Sequence, residues 1–310
     1  MENRILGLHH VTAIANMAKR NLDFYTKVLG LRLVKKTVNF DDPGTYHFYF
    51  GNETGAAGTI LTFFPWEGIG RGKNGAGMAT DIGYAVPQGA LKFWKERLKS
   101  FDISYTESEI FGENLISFTD PDGLQLQFIE PLVENDRKVW TTDDVTEGVS
   151  VKGFHNVTLT LQRANATSQV LTDILGYKLD KQENNRYRFT TDAINTANVL
   201  DIIENPSASR GHNAAGTNHH IAFRVKDDEV LMKFREKIVA AGFNITPKID
   251  RDYFFSLYFR EPGGVLFEIA TDNPGFTVDE PLAELGTSLK LPKQYEGMRD
   301  EIEKVLPELS

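Results

Sequence analysis

The sequence predicts an α+β protein of four βαβββ units that close in pairs into two cup-shaped mixed-sheet barrels. Two observations carry this. The segment Gly7-Leu8-His9-His10-Val11-Thr12 returns as Gly153-Phe154-His155-Asn156-Val157-Thr158. A looser pair, Asp120-Pro121-Asp122-Gly123-Leu124-Gln125-Leu126-Gln127-Phe128 and Glu261-Pro262-Gly263-Gly264-Val265-Leu266-Phe267-Glu268-Ile269, marks a hairpin turn feeding a last strand.

Unit one opens with the strand around His10. A helical stretch follows, with Leu22, Tyr25 and Leu29 at helical spacing and Gly30 as its stop. Three strand-like runs come next, near Leu31–Asn39, Tyr46–Gly51 and Gly58–Phe64. Unit two begins near Gly75–Val86, continues through a helix ending near Lys99, and finishes at Phe128. Unit three repeats unit one, with Ile174-Leu175-Gly176-Tyr177 at its helix end. Unit four begins at Ala214–Val225, has a helix ending near Ala241, and finishes at Ile269. The polar stretch Asn135–Gly148 reads as a linker between two halves, 1–134 and 149–273. A tail, 274–310, carries a short amphipathic helix candidate at Met298–Leu306.

The bulk composition restricts the chemistry. The 310 residues are 41% hydrophobic with a net charge of −9 spread along the chain, which gives nucleic acid no basic footprint. There are no cysteines, so any metal must be held by imidazole and carboxylate. No long apolar run and no signal-peptide layout occur, so no membrane partner is expected and the cytosol is the expected location. A homo-oligomer is compatible with the sequence.

Strand alternation assigns faces, because successive side chains point to opposite sides of a sheet. In unit three His155, Val157, Leu159 and Leu161 form the apolar set, against Asn156, Thr158 and Thr160. In unit four Ile221, Phe223 and Val225 oppose His220, Ala222 and Arg224. The open face of the four first strands therefore carries His10, Asp81, Asn156 and His220. On the last strands it carries Glu268 in unit four and Gln127 in unit two. Unit one offers Thr62 or Phe63 at that slot and unit three Ile202 or Ile203, so the fourth slot reads as apolar. Parity leaves unplaced four phenylalanines that could line a pocket: Phe24, Phe48, Phe63 and Phe255.

Two imidazoles and a carboxylate converge only if units one and four share a cup, which then holds His10, His220 and Glu268. The other cup would offer Asp81, Asn156 and Gln127, without an imidazole. Two histidines and one carboxylate leave about three positions open on an octahedral ion, an arrangement suited to Fe(II) binding an organic substrate and O₂ together.

The repeat, across residues 5–272, resembles the vicinal-oxygen-chelate superfamily, which includes glyoxalase I, fosfomycin-resistance proteins and extradiol dioxygenases. The strings His9-His10-Val11-Thr12, Asn218-His219-His220-Ile221-Ala222-Phe223 and Tyr258-Phe259-Arg260-Glu261-Pro262-Gly263-Gly264-Val265-Leu266-Phe267-Glu268 resemble more narrowly the hydroquinone-type ring-cleaving dioxygenases. That resemblance implies Fe(II) at His10, His220 and Glu268, with Mn(II), Ni(II) or Zn(II) as alternatives. It implies roles near the metal for Arg251, Tyr258, His219, His9 and Thr12, and a small aromatic substrate cleaved with O₂. The competing readings are a glyoxalase-like metal-dependent isomerase or lyase and a quinone-sequestering binding protein. Glyoxalase I fills four protein slots, two per unit, which an apolar fourth slot disfavours.

The remaining features read blandly. His47, His155 and His212 are structural or exposed. The Gly-rich stretches Gly68–Gly77 and Gly211–Gly216 do not open a helix after a strand, as a phosphate loop must, and read as flexible lips of the cup. On its own, Arg251 between Asp250 and Asp252 reads as a surface ion pair and Tyr258 as packing.

Overall fold

The computed structural model describes residues 3–309. Unit one contains β1 (Leu8–Ala15), α1 (Ala18–Asp23), β2 (Arg32–Val38), β3 (Tyr46–Gly51) and β4 (Ile60–Pro65). The helix continues past Asp23 as a π-wound turn, Phe24–Val28. Gly30 ends it with φ +66°, and a Cβ there would meet Val145 at 2.9 Å, so both conformation and space require glycine. Unit two contains β5 (Met78–Ala85), α2 (Leu91–Ser100), β6 (Tyr105–Ile110), β7 (Glu113–Thr119) and β8 (Gln125–Glu130). Unit three contains β9 (Phe154–Leu161), α3 (Asn165–Gln169) with its own π-wound turn, Val170–Ile174, then β10 (Lys178–Glu183), β11 (Arg186–Thr190) and β12 (Val199–Glu204). Unit four contains β13 (Thr217–Val225), α4 (Asp228–Ala240), β14 (Ile249–Asp250), β15 (Phe254–Arg260) and β16 (Leu266–Pro274). Asp227 caps α4 by accepting from the Val230 N–H, and Val230, Leu231, Phe234 and Ile238 form the buried face of that helix. The tail ends in α5 (Arg299–Val305).

Two eight-stranded sheets result, ordered β14-β15-β16-β13-β1-β4-β3-β2 and β10-β11-β12-β9-β5-β8-β7-β6. Units one and four share the first sheet through antiparallel β1 and β13. Units two and three share the second through antiparallel β5 and β9. Each cup thus takes one unit from each half of the chain, as the ligand argument required.

The helix-covered faces hold the core. Tyr25 packs on Phe50 and Phe63, and Trp94 on Phe128. This corrects the placement of the phenylalanines. Phe24, Phe48 and Phe63 are buried in that core, and the Phe255 ring lies under Lys248; none lines the cavity described below. The glycine-rich stretches are not independent lips. They bridge to each other at Arg71–Ala215, Lys73–His212 and Ala76–Arg210, tying the two sheets together. Among the described residues no helix is long and apolar enough to cross a membrane.

Candidate metal centre and pocket

The antiparallel register of β1 and β13 places the two halves of the site. Val11 pairs with Ile221, His10 with Ala222 and Thr12 with His220. His10 and His220 therefore sit one residue either side of a local two-fold centre, on the same face. Parallel pairing of β13 with β16 sets Ala222 beside Glu268, two residues beyond His220. The carboxylate thereby reaches the same point.

Here the three side chains converge. His10 Nε2 lies 3.1 Å and His220 Nε2 2.8 Å from Glu268 Oε2, and the two imidazole nitrogens are 3.4 Å apart. All three side chains are buried. Yet Glu268 Oε2 has no partner in hydrogen-bond geometry. Short distances without alignment are what three lone pairs aimed at one point produce. A buried carboxylate oxygen left this way is costly unless a cation completes it. The donor set also suits a divalent ion, for which imidazole and carboxylate are ordinary ligands. These residues fit a metal, and they form a group whose ligand atoms lie within 4.8 Å of one another.

The surrounding groups prepare that point. His9 Nδ1 and His10 Nδ1 are 2.9 Å apart, and His219 Nδ1 and His220 Nδ1 are 2.8 Å apart. Burial first, and then the neighbouring ligand imidazole, push His9 and His219 down to about 3, so both are neutral at physiological pH. A neutral His9 or His219 that accepts at Nδ1 fixes the proton of His10 or His220 on Nδ1. Each Nε2 then keeps its lone pair for a metal. Burial also lowers the pKa of His220. Burial opposes charge on Glu268, but His10 and His220 outweigh it and hold the carboxyl well below its usual range. Ser256 donates to Glu268 Oε1 and orients it.

A cavity of about 360 Å³ opens over this cluster. His10, Thr12, His219, His220, Arg251 and Tyr258 all line it. Arg251, which could have been a surface ion pair, is only 3.9 Å from the exposed Asp41 but turns inward over the Tyr258 ring at 5.4 Å. Burial, and then the Glu268 charge, push the Tyr258 hydroxyl up, so it stays a proton donor. Tyr258 also stands edge-on to His220, with ring centres 5.5 Å apart. His9 does not line this cavity. It lies behind His10 and also packs on Phe254, both of which line the pocket.

The sequence reading missed several lining residues. His47, read as structural, faces the pocket together with Tyr49. Their strand has Tyr46, Phe48 and Phe50 on the core side, so parity would have turned His47 and Tyr49 inward. The aromatic wall is Phe40, Phe64, Trp66 and Phe254. Three of these sit at strand ends or in loops, where parity gives no direction.

The fourth slot is Thr62, not an apolar residue. Thr12 pairs with Thr62, and Tyr49 pairs with Thr62 as Tyr258 pairs with Glu268. A hydroxyl already hydrogen-bonded to Thr12 and His47 is a poor metal donor. In the second cup the corresponding residue is Asp201, not Ile202 or Ile203. Asp201 accepts both Nε and Nη2 of Arg188, at 2.9 and 3.0 Å. The Arg188 Nη1 reaches Glu113, which also meets His155 at 2.9 Å. A guanidinium therefore balances the buried acids of this cup. Gly83 faces Asn156 there, and a Cβ would stand 2.0 Å from the Asn156 amide oxygen.

The sequence model of the Glyoxalase/Bleomycin resistance protein/Dioxygenase superfamily matches residues 7–128 and 153–269. The chain belongs to that superfamily. It is 46% identical over 306 residues to the Bacillus subtilis protein named "Putative ring-cleaving dioxygenase MhqO", covering 99% of this chain and 97% of that one. It is 36% identical over 309 residues to the "Chlorohydroquinone/hydroquinone 1,2-dioxygenase" of Sphingobium indicum, covering 97% and 96%. A crystal structure described as a "putative dioxygenase" from Bacillus subtilis superposes with a TM-score of 0.96 at 46% identity, covering 99% and 98%.

Proposed function

We propose that this protein is a non-haem Fe(II) dioxygenase that opens the ring of a hydroquinone with O₂, and that His10, His220 and Glu268 hold the iron. One observation carries the reading: three converging donors, with Thr62 rather than a ligand in the fourth slot, open onto an aromatic-walled cavity. The names of the relatives support the substrate class.

Bound Fe(II) would supply adjacent open positions and pass electrons from the ring to O₂. The chain's residues do the rest. Phe64, Trp66 and Phe254 clamp a flat ring. The Tyr258 hydroxyl and the Arg251 guanidinium lie on one side of the cavity, where they can orient a phenolic oxygen and stabilise negative charge as it develops. His219, neutral and bonded at Nδ1, can present Nε2–H to the cavity as a donor.

The isomerase reading is weaker because its fourth donor is replaced by Thr62. The pure binding-protein reading is weaker because it gives no reason for a buried, convergent triad. Oxygen uptake decides among them. Protein loaded with Fe(II) under nitrogen should consume O₂ on addition of methylhydroquinone or chlorohydroquinone. No uptake with any hydroquinone or catechol would sink the proposal.

A further inference from the structure

The cavity wall formed by β1, β3 and β4 contains a hydrogen-bonded chain with no part in the reaction proposed above. Tyr49 Oη is 3.0 Å from His47 Nδ1, and His47 Nε2 is 2.9 Å from Thr62 Oγ1. Thr62 Oγ1 is in turn 2.9 Å from Thr12 Oγ1. Tyr49, His47 and Thr12 line the cavity, and all four residues are buried.

One direction of this chain delivers a proton to the triad. Among the described residues the Tyr49 hydroxyl has no acceptor other than His47 Nδ1. With Tyr49 donating to that acceptor, His47 carries its single proton on Nε2. Burial first, and then nearby His10 and Arg251, keep His47 neutral, while burial keeps Tyr49 protonated. The His47 Nε2–H donates to Thr62, and Thr62 can donate to Thr12. One hydroxyl proton, that of Thr12, is then left without a protein acceptor among the described residues. Thr12 pairs with His220 in the β1–β13 register, so this spare donor lies beside the triad.

The local two-fold gives a second, independent argument. Tyr49 pairs with Thr62 as Tyr258 pairs with Glu268. His47, two residues before Tyr49, bonds Thr62 as Ser256, two residues before Tyr258, bonds Glu268. The position that orients a carboxylate in unit four is occupied in unit one by a residue with a proton to direct.

We infer that His47 is a positioning residue: held by Tyr49, it polarises the Thr62–Thr12 hydroxyl pair so that Thr12 donates to the substrate oxygen nearest the triad. This rests on the hydroquinone reading above. It adds a neutral donor to Arg251 and Tyr258, so that the phenolic oxygen is held by groups from both units of the cup.

Two measurements test it, and they fail separately. The first is the ¹⁵N spectrum of histidine-labelled, Zn(II)-loaded protein, which has only seven histidines to assign. His47 should show the Nε2–H tautomer; an Nδ1–H or charged ring overturns the chain direction whatever the substrate is. The second is calorimetric binding of benzene-1,4-diol to the same Zn(II)-loaded protein under nitrogen. Tyr49→Phe should weaken binding about three- to tenfold, the scale of one lost hydrogen bond, with zinc content unchanged. His47→Phe should lose at least as much, and His47→Gln, which keeps an acceptor and a donor, should recover most of it. Wild-type affinity in Tyr49→Phe, or equal losses in the two His47 variants, overturns the positioning role. If the wild-type protein binds no benzene-1,4-diol, the substrate reading and the Thr12 contact fall together, while the tautomer stands or falls on the spectrum.

Discussion

Glu268→Gln tests the proposed metal role of the triad apart from its part in the fold. In the metal-free protein His10 and His220 hold the carboxyl well below its usual range, so the carboxylate favours the folded state at neutral pH. Replacing it with a neutral amide of the same length should lower the apo melting temperature. Metal adds a second, separate effect. An ion at 100 times its dissociation constant stabilises the folded state by about 2.7 kcal/mol. Unfolding entropy for 310 residues is about 0.65 kcal/mol per kelvin, so wild-type protein should melt about 4 °C higher with saturating Mn(II). Glu268→Gln loses the only anionic donor and should show a shift near zero at the same concentration. Scanning fluorimetry with and without Mn(II) reads both numbers. A wild-type shift preserved in Glu268→Gln would refute the ligand assignment.

Three further perturbations address the rest of the molecule. Thr62→Glu restores a carboxylate to the fourth slot. It should slow metal loss to a chelator more than about tenfold, a direct ligand counting for more than an outer partner, and should abolish hydroquinone-dependent O₂ uptake. Arg188→Met leaves Asp201 with Arg186 and Asn156 and Glu113 with His155, so it should cost about 1–3 kcal/mol in denaturant unfolding, with little change in metal content. Asp120→Asn tests a pH dependence: burial first, and then Asp122, push the Asp120 carboxyl up from 3.8 to about 6. The raised value makes its favourable contribution full below pH 3.8 and lost as pH rises through about 6, a swing of about 3 kcal/mol. Asp120→Asn should therefore match wild type near pH 4 and exceed it at pH 7; equal stability gaps at both pH values would refute the shift.

Much of the candidate site was legible in the chain because it obeys local periodicities. Alternation in β1 and β13 singled out His10 and His220 as the converging pair, although a register shift beside His220 brings His219 to the cavity as well. That alternation depends only on the two-residue period of a strand. The same rule was available for His47 and Tyr49 and went unused, since a lone histidine in an aromatic strand gives no chemical prompt. On β4 the choice between Thr62 and Phe63 was open and register decided it for Thr62, whereas on β12 Ile202 and Ile203 were chosen past Asp201. A one-residue error of register moves a side chain to the opposite face, so it costs more in a sheet than in a helix.

The sequence by itself determined the four units, the absence of thiolate ligands, and the one grouping of units able to bring two imidazoles and a carboxylate together. Tertiary structure alone decided the convergence of His10, His220 and Glu268 on one point, the inward turn of Arg251, and the contacts that join Tyr49, His47, Thr62 and Thr12. The physical reason is range. Periodicity is a property of one strand, whereas a hydrogen bond left unmade, or one donor proton left over, exists only when strands distant in the chain are packed face to face.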